Sequence, residues 1–146
     1  MMLMHNILKI SILFFTLIFL NSESFAKTFE IEMRTQLGDE RRVFSQKVSN
    51  IDINDTIIWK AVDKGHNIEF VSIPEGAEML KSKKSEDVKF KFTIPGVYLY
   101  QCSPHKTIGM IGLIIVGNDK GNLNKVKEVK MFGLSKDIFE TLLQDL

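Results

Sequence analysis

The sequence predicts an all-β sandwich of seven to eight short strands, followed by two helices at the C-terminal end. Three observations carry this prediction. Short β-branched and aromatic runs recur between turn residues over roughly 90 residues, helical periodicity is missing between them, and helical spacing begins after position 121. The chain has 146 residues, of which 45% are hydrophobic and 25% are charged, so it is long enough for one compact domain with a buried core.

The strands are predicted from alternation and from β-branched runs. In the first strand, which begins at Thr28, the apolar residues Phe29, Ile31 and Met33 alternate with charged or polar ones. A period of two buries one face of a strand and exposes the other. The remaining strands are predicted over 43–44, 48–53, 56–59, 66–72, 88–93, 97–102 and 112–116.

Two of these strands are close enough in sequence to form a hairpin. Residues 88–93 alternate between apolar and polar side chains, and the dipeptide Pro95-Gly96 leads directly into the apolar run 97–102. Proline and glycine at adjacent positions favour a turn. We therefore expect an antiparallel hairpin here, within an antiparallel sandwich.

Helical spacing begins near the C-terminus, over residues 122–129 and 136–143. In the second segment Ile138, Phe139, Leu142 and Leu143 recur at intervals that place them on one side of a helix. This apolar stripe is expected to cover one edge of the sheet.

Residues 1–26 have the three parts of a secretory signal peptide. Positions 1–9 carry one lysine and no acidic residue, 10–20 are almost wholly apolar, and a polar stretch ends in Ser-Phe-Ala at position 26. Cleavage after Ala26 is predicted to release a domain of residues 27–146 outside the cytoplasm. The apolar run is shorter than the roughly 20 residues of a membrane-spanning helix, but an uncleaved anchor over 7–20 stays open as an alternative.

Charge and cysteine content exclude several classes of function. The chain has 19 Lys and Arg against 18 Asp and Glu, a net charge of +1, and so lacks the strong positive field that nucleic-acid binding requires. With Cys102 as its one cysteine, the chain can form neither an internal disulfide nor a cysteine-rich zinc module.

Four side chains of the predicted domain indicate a metal site. Cys102, His105 and Met110 lie on one segment between two predicted strands, and His66 is the domain's other histidine. One thiolate, two imidazoles and a weak axial thioether are the ligands of a trigonal copper site, whereas zinc rarely recruits methionine. The two residues between Cys102 and His105 let the chain turn around a metal ion. The four residues between His105 and Met110 let the chain return, so that Met110 reaches the axial side of the ion.

Each of these residues also has a simpler interpretation, and two other functions stay open. Taken singly, Cys102 is a small buried hydrophobe, His66 part of a turn, and Met110 a core residue. A thiol hydrolase with the cysteine as nucleophile and the histidine as base is one alternative, although no orienting acid or oxyanion hole is evident. The same ligands also suit a copper-trafficking or storage protein.

The sequence also resembles a known family, the pseudoazurins, which are small periplasmic type 1 blue copper proteins of the cupredoxin class. The resemblance covers nearly all of residues 27–146, including the two helices. It is carried by the motifs DKGHN at 63–67, IPEGAE at 73–78, PG at 95–96, YQCSPH at 100–105 and GMIGLIIVG at 109–117.

The resemblance implies a cupredoxin-like Greek-key sandwich that binds one type 1 copper, alternating between Cu(II) and Cu(I), and that carries electrons rather than catalysing a reaction. The implied ligands are His66, Cys102, His105 and Met110, with His105 as the exposed port for the electron. Asn67 is implied as a second-shell residue that ties the His66 segment to the Cys102 loop by hydrogen bonding.

Residues near these ligands carry further expectations. Pro104 is expected to act on the site from outside the ligand set. Because it has no N–H to donate to the Cys102 sulfur, it should lower the reduction potential of the copper. Lys64 and Lys106 adjoin two ligands and predict a basic surface for docking acidic partners. The implied partners are periplasmic redox enzymes such as copper nitrite reductase or cytochromes, bound transiently by a monomer without stable membrane association.

Three positions depart from the family's usual pattern. Lys106 stands where an aromatic residue is common after the second histidine, and Gln101 stands where a lysine is frequent before the cysteine. Arg42 falls where relatives often have an apolar side chain near the exposed histidine. A cation there would disfavour Cu(II) relative to Cu(I), so these departures bear on docking and potential rather than on metal binding.

Overall fold

The structure is a computed structural model that describes residues 25–144 and 146. The predicted signal segment 1–26 lies outside the described residues except for its last two positions. Eight strands and two short helices follow in the predicted order, which confirms the all-β sandwich with two C-terminal helices. The elements are β1 (Thr28–Leu37), β2 (Glu40–Phe44), β3 (Val48–Ile51), β4 (Thr56–Lys60), β5 (Glu69–Ser72), β6 (Val88–Lys91), β7 (Gly96–Gln101), β8 (Ile111–Val116), α1 (Leu123–Lys127) and α2 (Leu134–Gln144).

The strands form two four-stranded sheets, in the orders β2-β1-β4-β6 and β3-β8-β7-β5. The prediction of a purely antiparallel sandwich is wrong, because β1 pairs with β4 and β3 pairs with β8 in parallel. A parallel pair needs a long connection. The chain supplies one by passing through the opposite sheet before it returns, as a Greek-key sandwich does.

The predicted hairpin of residues 88–93 and 97–102 is also wrong. β6 pairs with β4 in the first sheet, whereas β7 lies between β8 and β5 in the second. The turn at Pro95-Gly96 therefore carries the chain from one sheet to the other. β7 is buried along almost its whole length, and such a strand belongs at the centre of a sheet, where both faces are covered.

An aromatic core fills the space between the two sheets. Trp59 lies at its centre and contacts Phe70, Phe92 and Tyr100 in tilted or edge-on arrangements, with ring centroids 5.4 to 6.3 Å apart. Aromatic pairs favour such geometry and add stability beyond the area they bury. The same core extends to Cys102 and Met110, so that both candidate sulfur ligands lie at one end of a densely packed interior.

A second core lies on the outer face of the second sheet, beneath the two helices. Outward-facing residues of β7 and β8 pack against Val126 of α1 and against Phe139 and Leu142 of α2. The predicted apolar stripe of α2 therefore covers a face of the sheet rather than an edge. Within the described part of the chain, neither helix has the length and apolarity that a membrane span requires.

Candidate metal centre

One loop between β7 and β8 carries three of the four predicted ligands. Cys102 follows the last residue of β7, Ser103–His105 form a single 3-10 turn, and Met110 immediately precedes β8. The Cys102 N–H donates to the Met110 carbonyl at 2.9 Å, which extends the β7–β8 pairing by one bond, and the His105 N–H donates to the Cys102 carbonyl at 2.9 Å. The ladder thus fixes both ends of this segment, which we call the ligand loop (residues 102–110).

His66 reaches the same place from the connection between β4 and β5. The predicted strand over 66–72 is confirmed only for Glu69–Ser72. Residues 66–68 instead pair with the following loop, where Ser85 N–H donates to the His66 carbonyl at 2.9 Å and Ser82 N–H to the Ile68 carbonyl at 2.8 Å. This pairing holds His66, which is 1% exposed, against the ligand loop.

Three donor atoms converge at the end of the core. Cys102 Sγ lies 3.4 Å from His105 Nδ1 and 3.7 Å from His66 Nδ1, and the two Nδ1 atoms are 3.1 Å apart. Among the histidine, cysteine, aspartate and glutamate side chains of the described residues, His66, Cys102 and His105 form a group that is close enough to hold a metal ion. Met110 is fully buried in the adjoining core, with its backbone paired to Cys102.

The spacing of the three donors fits a metal ion. A point equidistant from three atoms that are 3.1, 3.4 and 3.7 Å apart lies about 2 Å from each, close to the metal–nitrogen and metal–sulfur distances of roughly 2.0–2.3 Å found in proteins. Imidazole nitrogens with soft sulfur donors favour copper over magnesium or calcium. The residues present therefore match a type 1 copper site in both number and chemistry.

Burial governs the protonation of these groups. It lowers the pKa of His66 below its ordinary value, an effect that nearby Arg42 adds to and Asp63 opposes. The pKa of His105 is also lowered, first by burial and then by His66 and the cations Arg42 and Lys84. Neutral imidazoles have a free lone pair for a metal.

The thiol of Cys102 is affected in the opposite direction. Burial raises its pKa, while the backbone N–H groups of Asn67 and His105 and the charge of Lys84 lower it again. Burial has the larger effect, so the pKa stays raised, while these three groups in part offset the cost of forming the thiolate, which is the form that binds metals. The sulfur thus lies in an apolar surrounding that already contains positive charge and hydrogen-bond donors.

Asn67 joins the His66 segment to the ligand loop. Its side-chain oxygen accepts a hydrogen bond from the Ser103 N–H at 2.8 Å, and its amide donates to Ser103 Oγ at 3.0 Å and to the Ser82 carbonyl at 3.2 Å. Asn67 itself is 3% exposed, while its partners Ser103 and Ser82 are half-buried. The structure therefore brings together the two segments that the sequence analysis expected Asn67 to connect.

Sequence reasoning missed Glu69, which anchors this connection. Its carboxylate accepts hydrogen bonds from Ser103 Oγ at 2.8 Å and from the Gln101 amide at 2.9 Å, and it pairs with Lys81 at 2.7 Å. These donors lower the pKa of Glu69 to about 2, with Lys81 making the largest contribution. No signal in the sequence marks Glu69, because its partners Gln101 and Ser103 are more than 30 positions away.

A second missed residue approaches the outer side of His66. Thr35 Oγ1 on β1 lies 3.3 Å from His66 Nε2, and the Thr35 N–H donates to Asp63 at 2.6 Å. In the β1–β2 register, Arg42 stands opposite Thr35, between the pairs 34–43 and 36–41. The charge of Arg42 lowers the pKa of both His66 and His105, so the expected cation lies near the two histidines. Arg42 is half-buried and has a positive φ of 52°.

The start of α2 braces the ligand loop from the other side. The buried Ser135 hydroxyl accepts a hydrogen bond from the Gly109 N–H at 2.8 Å, and the Leu134 N–H donates to the Thr107 carbonyl at 2.9 Å. A Cβ on Gly109, which has a φ of +100°, would lie 2.4 Å from Ile138 Cδ1. Glycine is therefore required where the loop passes beneath the helix.

The other predicted residues lie on the solvent side. His105 is half-buried, and Pro104, Lys106 and Lys64 are exposed. Pro104 occupies the start of the 3-10 turn, where it has no N–H to offer. The structure thus buries His66, Cys102 and Met110, leaves His105 half-buried beside them, and leaves Lys64 and Lys106 exposed.

Comparison with known proteins also indicates a copper-binding protein. The family model described as copper binding proteins of the plastocyanin/azurin family matches residues 31–117. A pseudoazurin of Paracoccus pantotrophus is 36% identical over 117 residues, which cover 79% of this chain and 81% of that protein. A putative pseudoazurin of Rhizobium leguminosarum bv. viciae is 36% identical over 104 residues, which cover 70% and 68%.

Solved structures show the same similarity in three dimensions. A pseudoazurin from Sinorhizobium superposes with a TM-score of 0.77 at 38% identity, over 82% of this chain and 95% of that one. The pseudoazurin of Methylobacterium extorquens AM1 gives 0.77 at 28% identity, over 81% and 98%. The similarity extends over nearly the whole length of both solved chains.

Proposed function

This chain belongs to the plastocyanin/azurin family of copper-binding proteins and, within it, to the pseudoazurins, and on that premise we propose that His66, Cys102, His105 and Met110 hold its copper. As a member of this family the chain is a blue copper electron carrier and not an enzyme. The convergence of the Cys102 sulfur and two imidazole nitrogens within 3.7 Å is the observation that carries the assignment. When bound, copper supplies a centre that gains and loses one electron between Cu(II) and Cu(I).

The protein's part in this transfer is to keep the donor atoms still. Electron transfer is fast when the ligands hardly move between the two oxidation states. Asn67 and Glu69 hold Ser103 by its N–H and its hydroxyl, and Ser103 adjoins Cys102 in the chain. The β7–β8 ladder and Ser135 hold the other end of the loop. Such outer contacts orient metal ligands and are costly to remove.

His105 is proposed as the port through which the electron passes. It is the one ligand among the four that is partly exposed, and the exposed residues Pro104 and Ile108 of the same loop, together with Val62, are proposed to form an apolar rim around it. A partner docked on this rim would exclude water and approach the imidazole edge. The buried side of the site, by contrast, offers a partner no access.

We also propose that the chain works in the periplasm, as a monomer without stable membrane association. The support is the three-part pattern of residues 1–26, with cleavage after Ala26 and a mature domain of 27–146. Its partners are proposed to be periplasmic redox enzymes or cytochromes, a copper nitrite reductase among them. Binding is transient because a carrier must leave one partner to reach the next.

Lys64 and Lys106 are proposed to steer these encounters. Both are exposed and adjoin the ligands His66 and His105 in sequence. Within the described residues neither forms an ion pair. Unpaired surface cations attract an acidic partner over a distance set by the ionic strength.

The burial of the sulfur donors argues against copper trafficking as the function. A trafficking site must expose its ligands to the protein that receives the ion. Cys102 and Met110 are both fully buried, and the loop that carries them is held at both ends. Slow loss of copper to a chelator would agree with electron transfer.

A stopped-flow experiment tests the proposal. The reduced, copper-loaded protein is mixed with an oxidised copper nitrite reductase of acidic net charge, and the second-order rate constant is measured against ionic strength. Lys64→Glu and Lys106→Glu are expected to lower the rate roughly tenfold at low salt and to approach the wild type near about 0.5 M salt. Lys91→Glu, at the opposite end of the sandwich, serves as the matched control. A rate that does not respond to salt or to either substitution contradicts the docking proposal.

A further inference from the structure

The segment between α1 and α2, together with the first residue of α2, exposes large apolar side chains. Phe132 is 67% exposed and Leu134 is 62% exposed. Among the large apolar residues of the described chain, these values are exceeded by Phe25 alone, which lies in the predicted signal segment. An exposed aromatic side chain costs free energy in water. A pair of such residues on one short segment is therefore a candidate contact surface.

This segment borders a groove that continues to the ligand loop. The groove, which we call the linker groove, is lined on one side by Met131, Phe132 and Phe139 and by the stems of three lysines, Lys127, Lys130 and Lys136. On the other side of Met131 and Phe132 it continues into a second depression, which is lined by Gln101, Lys106 and Thr107. An occupant of the linker groove would therefore lie beside the residues that follow His105.

Backbone contacts hold the segment that forms the wall of the groove against the ligand loop. The Leu134 N–H donates to the Thr107 carbonyl at 2.9 Å. Gly133, with a φ of +61°, passes so close that a Cβ would lie 2.3 Å from the same oxygen. The segment is thus fixed to the ligand loop by backbone contacts, and Phe132 keeps a constant position relative to His105. Such preorganisation reduces the entropy lost on binding.

Unpaired positive charge surrounds the groove. Lys106, Lys127, Lys130 and Lys136 form no ion pair within the part of the chain that the structure describes, and among the described lining residues they face the single carboxylate of Glu140. Four other lysines of the described residues form ion pairs, among them Lys47 with Glu40, Lys60 with Asp87 and Lys81 with Glu69. The whole chain carries a net charge of only +1, so a lining of four lysines and one carboxylate makes the groove more positive than the chain as a whole.

We propose that the linker groove is a second contact area of the docking face, which binds an acidic redox protein through an apolar side chain seated beside Phe132 and carboxylates facing Lys106, Lys130 and Lys136. The inference rests on the proposed function, because it names a further part of the surface on which the electron-transfer partner docks. Continuity with the loop around His105 favours a protein occupant over an anionic membrane. A membrane lying on the groove would obstruct access to His105.

Two substitutions separate the apolar contribution from the charged one. Phe132→Ser removes the exposed aromatic ring, with Ile53→Ser as control, since Ile53 is 45% exposed at the far end of the sandwich. Lys130→Glu reverses one charge, with Lys91→Glu as control. All four are exposed positions, so the visible spectrum of each copper-loaded variant serves to verify an intact fold.

The test uses the copper-loaded protein and a purified copper nitrite reductase of acidic net charge. Phe132→Ser is expected to lower the second-order rate constant about fivefold at both low and high salt, because an apolar contact is not screened. Lys130→Glu should lower it about fivefold at low salt only. On titration of the isotopically labelled Cu(I) protein with the reductase in its reduced state, so that no electron is transferred, amide signals of residues 130–134 should shift along with those of the ligand loop.

Three outcomes would overturn the inference. If the wild type reacts with the reductase and both groove variants match their controls, the groove proposal fails while the proposed function stands. A wild type that does not react with the reductase contradicts both together. Sedimentation with phosphatidylglycerol vesicles that depends on Phe132 and Lys130 would overturn the proposal in favour of a lipid surface, whereas protein that stays in the supernatant supports it.

Discussion

The two sides of the metal centre differ in burial and in how they are held. On the inner side His66, Cys102 and Met110 are at most 1% exposed and lie within the aromatic core and a network of hydrogen bonds. On the outer side His105 is half-buried, and Lys106 beside it is exposed. The same loop contributes to both sides, so the difference arises from what packs against it.

This contrast separates two requirements of an electron carrier. The buried side keeps the donor atoms at a constant separation, and the exposed side meets a partner. Because the contacts of each side are different, substitutions on the buried side should change metal binding, stability or potential. Substitutions on the exposed side should change only the encounter with partners.

The largest effect is expected for Cys102→Ala. It removes the thiolate, and with it the charge transfer that would give the copper protein its colour. The copper-loaded variant should have no intense visible band, and its copper affinity should fall at least 10-fold, as losses around metal sites commonly do. Visible spectroscopy and a competition titration with a chelator measure both effects.

Met110→Leu is the matched control for this prediction. The substitution nearly conserves volume, so it should cost less than about 1.5 kcal/mol in stability. Colour should persist because the thiolate remains. Loss of an axial donor disfavours Cu(II) more than Cu(I), and the potential should rise by on the order of 60 mV, a tenfold change in the equilibrium. A variant that lost its colour would show that Met110 does more than tune the site.

Asn67→Ala should produce the next largest effect. It removes three hydrogen bonds and leaves the half-buried Ser103 N–H without its acceptor. The free energy of unfolding of the metal-free protein should fall by about 2–4 kcal/mol, as measured by urea denaturation. Asn50→Ala, at an exposed position of β3, should stay within about 0.5 kcal/mol of the wild type.

Glu69→Gln should have a smaller effect that depends on pH. The pKa of Glu69 falls from 4.5 to about 2 on folding, so the ionised carboxylate stabilises the fold above pH 4.5, and this contribution is lost as the pH falls towards 2. At pH 7 the metal-free variant should be less stable by about 1–2 kcal/mol.

The difference between this variant and the wild type should shrink steadily from pH 5 to pH 2, in denaturation curves recorded at each pH. Asp52→Asn is the matched control, because the ion pair of Asp52 with Lys27 is 3.7 Å long and exposed on both sides. It should change stability by no more than about 0.5 kcal/mol. A Glu69→Gln variant that is equally destabilised at every pH would rule out the charge as the cause.

Lys106→Glu should have the smallest effect on the protein itself. Its side chain is exposed and forms no ion pair among the described residues. The visible spectrum should be unchanged, and the unfolding free energy should stay within about 0.5 kcal/mol of the wild type. A changed spectrum would contradict the division of the site into a buried side and an exposed side.

The candidate ligands could be predicted because most of them are neighbours in sequence. Cys102, His105 and Met110 share one loop, and their residue types are uncommon enough together to indicate copper. Most strands were also predictable, since alternation and β-branched runs report on local burial. Asn67 was found because it follows a ligand directly and matches a family motif.

The remaining features depend on which strands meet, and local sequence does not contain that information. The hairpin prediction failed because Pro95-Gly96 signals a change of direction equally well within a sheet and between sheets. Glu69 and Thr35 reach the site only through pairing across more than 30 positions. The exposure of Phe132 is likewise set by how its segment packs on Thr107.

The most direct test of the account is the visible and electron paramagnetic resonance spectrum of residues 27–146 after addition of one equivalent of Cu(II). A sulfur and two imidazole nitrogens around one ion predict an intense blue colour that a mild reductant bleaches and an oxidant restores. A colourless Cu(II) adduct, or a spectrum that is the same in Cys102→Ala, would contradict it.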